Sequence, residues 1–87
     1  MEHEPIVYFT LGKHIRRRRK LAKLSQLELA ENAGLNETYI SDLERGIRNP
    51  SYLVVHKIAR GLGITLSELS NDVDLELADY YKNKRKE

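Results

Sequence analysis

The sequence predicts an all-α fold, and three observations carry the prediction. Pro5, Gly34, Gly46, Pro50, Gly61 and Gly63 cut the chain into short segments whose apolar residues recur at helical spacing. Two of those segments open with a capping box, Ser25-Gln-Leu-Glu28 and Thr65-Leu-Ser-Glu68, in which a hydroxyl and a glutamate satisfy each other's backbone amides. β-branched runs are few, strict alternation is absent, and Ile6 to Phe9 is the one strand-like stretch.

The first helix is expected from about Thr10 to Lys23, capped by Thr10, with Leu11, Ile15 and Ala22 on one face. A start near Pro5 would add Tyr8 to that face. The second begins at the Ser25 capping box, buries Leu29, Ala30 and Ala33, and stops at Gly34, which takes the left-handed conformation cheaply. Asn36 caps the third, which runs to Arg45 with Ile40 and Leu43 inward, and Gly46 ends it. Asn49-Pro50-Ser51 breaks the chain and caps a fourth helix to Leu62, with Tyr52, Val55, Ile58, Ala59 and Leu62 inward. The Thr65 capping box opens a short fifth helix. Val73 to Tyr81 suggests a sixth, with Val73, Leu77 and Tyr80 or Tyr81 along one side.

Size and composition narrow the function. With 87 residues the chain makes one domain, whose small core needs help from disulfides, metals or oligomerisation. Cysteine is absent, which leaves oligomerisation. There is no apolar run of membrane length and no signal peptide, so the expected setting is cytoplasmic, without a membrane partner. Net charge is only +2, but it is unevenly spread. Lys13, Arg16, Arg17, Arg18, Arg19, Lys20 and Lys23 load the first helix, whereas Glu68, Asp72, Asp74, Glu76 and Asp79 load the segment after Thr65. One end of the molecule is thus expected to face phosphate and the other to face away. On composition alone, Arg16 to Lys20 reads better as a solvated helix face than as a phosphate-binding run. His14 and His56 lack metal-ligand spacing, and Asp72-x-Asp74-x-Glu76 lacks the glycine and distal glutamate of a calcium loop, so no metal or cofactor is expected. No nucleophile stands beside a base, so the chain does not read as an enzyme.

Gln26 to Arg45 is the constellation that carries function: a short helix, a tight glycine turn and a second helix. Two helices crossing this closely need a small contact residue, which is Ala30, with Ile40 packed over it and Leu35 plugging the turn. The opposite face of the third helix, Glu37, Thr38, Ser41, Asp42 and Arg45, is polar throughout and free to reach base edges.

The phrases Leu11-Gly-Lys-His-Ile-Arg, Arg19-Lys, Ser25-Gln-x-Glu-Leu-Ala, Gly34-Leu, Thr38-Tyr-Ile-Ser, Leu43-Glu-Arg-Gly, Arg48-Asn-Pro-Ser and Lys57-Ile-Ala closely resemble the Cro/repressor (Xre-type) helix-turn-helix family, over roughly Thr10 to Leu69. Thr38-Tyr-Ile-Ser followed by Glu-Arg-Gly-x-Arg-Asn-Pro-Ser looks like the small controller proteins of restriction–modification systems, although phage and chromosomal regulators share the phrase. The resemblance implies a compact five-helix lambda-repressor-like DNA-binding domain, acting as a homodimer on a palindromic operator in double-stranded DNA. It implies base reading by Glu37, Thr38 and Asp42. It implies phosphate contacts from Gln26, Tyr39, Ser41, Arg45, Arg48 and Asn49, and an ion pair between Arg19 and Glu44. Two features depart from the family. Arg18 stands where an apolar residue is usual and is expected either to lay its stem on the core and extend its charge outward or to mark a slight rotation of the first helix. Glu37 and Asp42 put acids near phosphate, which costs affinity unless they accept from cytosine amino groups or pair with Arg or Lys, and which also disfavours wrong sequences.

The organisation that follows is an N-terminal arm over 1–9, the helix-turn-helix domain over 10–69, and an acidic then basic extension over 70–87, with an extra C-terminal helix. The homodimer interface is expected at Leu66 and Leu69, from the need of a small core to bury more surface. A rival reading is an antitoxin that binds a protein partner, a toxin, through the extension while repressing its own operon. A second rival is a non-specific nucleic-acid adaptor.

Overall fold

The computed structural model describes residues 5–85 and holds five helices: α1 (Pro5–Leu21), α2 (Gln26–Ala33), α3 (Glu37–Glu44), α4 (Tyr52–Gly61) and α5 (Leu66–Arg85). Among the described residues there is no strand. Ile15, Leu29, Ile40, Ile58 and Leu69 are fully buried, one from each helix, so a single core joins all five. No helix among the described residues is long and apolar enough to cross a membrane.

The caps explain the breaks. Ser25 Oγ accepts from the Glu28 amide at 3.0 Å while Glu28 Oε1 accepts from the Ser25 amide at 2.8 Å. Thr65 and Glu68 repeat the exchange at 3.0 and 2.9 Å at the head of α5. Asn36 Oδ1 accepts from the Tyr39 amide and Ser51 Oγ from the Val54 amide. The ends of α1 to α4 share one geometry, in which a left-handed residue is followed by an amide that reaches back to the carbonyl five residues earlier. These bonds are Leu24 to Arg19, Leu35 to Ala30, Ile47 to Asp42 and Ile64 to Ala59. Glycine takes the left-handed place at three of the four ends; Lys23, at φ 60°, takes it at the end of α1.

Several expectations are corrected. Ile6 to Phe9 is the first part of α1, not a strand or an arm: Pro5, whose fixed φ suits a helix start, opens the helix, and Ile6, Val7 and Tyr8 are half-buried along it. Thr10 is therefore a buried mid-helix residue rather than a cap. Ala22 is exposed, because α1 ends at Leu21. The short fifth and the sixth helix are one, since Leu66, Leu69 and Val73 continue a single inward stripe and neither Ser70 nor Asn71 breaks it. Both expected boundaries, at 9/10 and at 69/70, thus fall inside helices. Tyr52, expected inward, is 75 % exposed at the first turn of α4, while Ile58, Ala59 and Leu62 are buried. The parts of the expected arm and tail at 1–4 and 86–87 lie outside the described residues.

Acidic α5 does not face away from basic α1; it packs along it. Arg18 grips Asp72 with two donors, Nε at 2.7 Å and Nη2 at 3.2 Å. Glu76 accepts from Lys13 Nζ at 2.6 Å and lies 2.8 Å from His14 Nε2. These bonds hold the Asp72 and Glu76 carboxyls below the usual carboxylate range, Asp72 chiefly through Arg18 and Glu76 chiefly through Lys13, against a smaller opposing effect of burial. Arg18 thus does more than extend into solvent. The uneven charge seen in the sequence is matched within the fold.

Candidate nucleic-acid interface

α2 and α3 meet across a turn in which Gly34 (φ 71°, ψ 35°) donates back to the end of α2. Ala30 and Ile40 are buried in the shared core, and Leu35 packs against it from the turn. With Ile40 and Leu43 inward, α3 presents its other side to solvent. Glu37 and Thr38 are exposed there, Ser41 and Asp42 half-buried, and Arg45, Arg48 and Asn49 exposed at and beyond its end.

α3 is fixed from behind by a network centred on Glu44. Arg19 donates from Nε to Glu44 Oε2 at 2.6 Å and from Nη2 to Glu44 Oε1 at 3.0 Å, the paired geometry that suits guanidinium and carboxylate. Its remaining Nη1 donates to the Leu24 carbonyl at 2.8 Å, and Gln26 Nε2 donates to Glu44 Oε1 at 3.0 Å. The side chains are 11 % exposed for Arg19 and 3 % for Glu44. The bond to Glu44 raises the Arg19 pKa further above its already high value, despite the opposing cost of burial. α1 also approaches α3 through Gly12: a Cβ there would collide with the carbonyl oxygens of Leu43 and Glu44.

On the outer face Asp42 is not free. Its Oδ1 accepts from Arg45 Nη2 at 2.7 Å and its Oδ2 from Arg48 Nε at 3.2 Å. These bonds lower its pKa, Arg45 most strongly. The Arg48 guanidinium lies 5.0 Å from the centre of the Tyr39 ring, within cation–π range. Gln26 faces Glu44 with its amide nitrogen while standing at the first position of α2.

The expected dimer contact is corrected at Leu69. Leu69 is fully buried within its own chain, so it has no surface to give to a partner; Leu66 is half-buried against the same core. The apolar surface near these residues belongs to Tyr52 and Leu53 at the start of α4. Beside it runs a shallow groove lined by Tyr52, His56, Thr65, Leu66, Ser67 and Ser70. The ion pairs between α1 and α5 were missed by sequence reasoning. The signal that could have found them was the opposite charge of two segments at helical spacing, read separately. Among the described residues no group of three or more His, Asp or Glu side chains is arranged to hold a metal ion.

Comparison with known proteins agrees with this geometry. A helix-turn-helix family model matches residues 15–69. The immunity repressor protein of Bacillus phage phi105 is 37 % identical over 81 residues, covering 90 % of this chain and 56 % of the repressor, so the chain spans little more than half of that relative. The control protein C.MunI of a Mycoplasma species is 46 % identical over 59 residues, covering 68 % of this chain and 80 % of its own. Among solved structures, the restriction–modification controller protein C.AhdI of Aeromonas hydrophila superposes with a TM-score of 0.69 at 37 % identity, covering 71 % of this chain and 94 % of its own. With the family model covering well over half of its length and with this two-helix reading unit, the chain belongs to the Cro/repressor (Xre-type) helix-turn-helix family of DNA-binding transcription regulators.

Proposed function

We propose that the chain regulates transcription as a homodimer that reads a two-fold symmetric operator. The observation that carries this reading is the polar outer face of α3, set opposite a buried Ile40 and Leu43 and braced from behind by Arg19 and Glu44. Glu37 and Thr38 are the base-reading residues, since they stand exposed at the start of α3, where recognition helices meet base edges. Asp42 shares that face, with Arg45 on one oxygen and Arg48 on the other, so a base edge meets it in competition with two arginines. Gln26, at the first turn of α2 with its open backbone amides, contacts phosphate, as do Tyr39, Ser41, Arg45, Arg48 and Asn49 around α3.

One recognition helix covers only a few base pairs, so a second copy about 34 Å away supplies the rest of the site. The surface that supports pairing is Tyr52 and Leu53 with the adjoining groove, rather than Leu69. Likeness to the control protein C.MunI and to the solved controller C.AhdI supports a role as controller of a restriction–modification system. The antitoxin reading has less support, because residues 70–85 continue a helix seated on α1.

Selection from randomised duplexes tests the reading. The expected result is an inverted repeat with half-sites about one helical turn apart. Glu37→Ala and Thr38→Ala should each change preference at one position per half-site, by about 1–3 kcal/mol. Sedimentation equilibrium should give a dimer for the native chain and a folded monomer with weak operator binding for Tyr52→Glu/Leu53→Lys. An asymmetric motif, or a dimer that survives the double substitution, removes the proposal.

A further inference from the structure

The outer face of α3 carries a charge cluster that DNA reading alone does not explain. Both oxygens of Asp42 are occupied, one by Arg45 and one by Arg48. The carboxylate is set back, with 14 % of its side chain exposed, while the arginines stand out at 64 % and 50 %. Arg48 is held a second time by the Tyr39 ring. On the DNA-binding reading these are the cations that grip phosphate, yet each directs one donor to an internal anion of the same charge.

We propose that Asp42 is a specificity-determining residue that acts through Arg45 and Arg48, occupying them as an internal stand-in for phosphate until a base edge replaces them on its own oxygens. The inference rests on the reading of this face as the DNA-binding one. Moving the two arginines onto phosphate strips the half-buried Asp42 carboxylate of its two cations close to the negative backbone, which is unfavourable. A duplex that offers an amino group there, as cytosine does in the major groove, satisfies the released carboxylate. A duplex without one leaves it bare, and the arginines stay with Asp42. Phosphate grip thereby becomes conditional on base identity, although phosphate itself carries no sequence information. The depressed Asp42 pKa is consistent with this arrangement, since the carboxylate stays ionised and able to hold both arginines.

The test compares Asp42→Asn, with Asp42→Ser beside it, against Glu37→Gln, which removes the same charge from the same helix face without releasing an arginine. Each is measured on a random-sequence duplex across a salt series, and on the operator selected by the native chain. Asp42→Asn should bind random duplex about 5–10-fold more tightly and steepen its salt slope by about one to two units, as freed arginines displace counterions. Affinity for the operator should change by less than about 3-fold, so discrimination falls. Adding Arg48→Ala to Asp42→Asn should return part of the slope. If Asp42→Asn and Glu37→Gln alter random-duplex binding equally in affinity and slope, only the lost charge matters and the proposal is wrong. Weaker random-duplex binding by Asp42→Asn also overturns it, because the carboxylate would then be ordering the arginines for phosphate. A native chain that prefers no duplex over random sequence removes the operator reading, whereas the slope comparison still decides the role of Asp42.

Discussion

Arg18 and Arg19 are neighbours on α1, and each grips a carboxylate with the same two nitrogens, Nε and Nη2. Arg19 turns to Glu44 at the end of α3, and Arg18 turns to Asp72 on α5. The chemistry is the same but the surroundings differ. The Arg19–Glu44 pair is nearly covered and has two further hydrogen bonds, to the Leu24 carbonyl and from Gln26. The Arg18–Asp72 pair is 26 % and 16 % exposed and lies beside the more open Lys13–Glu76 contact. Burial decides what such a pair is for. A covered pair cannot lose a partner without stranding a charge, so it fixes geometry; a wetter pair contributes little and yields to salt and pH.

The largest effect that would expose this difference is Glu44→Ala. It leaves the Arg19 guanidinium covered and uncompensated and removes an acceptor from Gln26, costing roughly 3–5 kcal/mol. In a domain of this size that is more than about 10 °C in Tm. Thermal melting followed by circular dichroism checks it, and a loss no greater than that of Asp72→Asn would mean that burial does not separate the two sites. Gly12→Ala attacks the same junction through the main chain. The methyl group collides with backbone oxygens of Leu43 and Glu44, which cannot rotate away, so a loss of about 1–3 kcal/mol is expected. Chemical denaturation measures it; a neutral result would mean that α1 shifts freely over α3.

The α1–α5 contact should respond instead to conditions. Asp72 and Glu76 titrate lower in the folded chain than in the unfolded one. Their contribution is therefore whole above about pH 4–5 and is lost as pH falls through the depressed folded values. Asp72→Asn/Glu76→Gln should cost about 1 kcal/mol near neutrality, and the gap from the native chain should close in strong acid and narrow in 1 M salt. Denaturant midpoints at several pH values test this; a gap that widens in acid would give these groups the opposite sign. The smallest effect lies just past both arginines. Lys23 is left-handed where the other three helix ends use glycine, so Lys23→Gly should stabilise by about 0.5–1 kcal/mol, the relief of backbone strain outweighing the added freedom of the unfolded chain. A lower denaturant midpoint for that variant would contradict this.

These contrasts also mark what the sequence could reveal. Elements bounded by local chemistry were legible: the Ser25, Asn36 and Ser51 caps and the Gly34 stop place α2, α3 and the start of α4 within a residue or two. The all-α class and the solvent-facing side of α3 followed from the same local signals. Features that depend on distant partners were not legible. Pro5 to Phe9 reads as an arm or strand, with a helix start near Pro5 as the alternative, and it is the packing of Ile6, Val7 and Tyr8 on the rest of the fold that decides for the helix. Ser70 and Asn71 suggest a break that the stripe of Leu66, Leu69 and Val73 overrides. Leu69 looked like an interface residue because its sequence position cannot say which chain covers it. Pairing with Arg or Lys is one of the two ways the sequence offers to place an acid at Asp42, but that both Arg45 and Arg48 fold back onto it was not legible from their positions.

The contact at Gly12 has a consequence for how such a regulator diversifies. The tilt of α3 is set by main chain resting on main chain and by a buried pair behind it, and none of the exposed residues at its front takes part. Glu37 and Thr38 can be exchanged without disturbing the seat of the helix they stand on. On the proposed reading of Glu37 and Thr38 as the base contacts, address and mounting are thus separable: exchange at a few solvent-facing positions would change the operator while the orientation needed to use it stays in place.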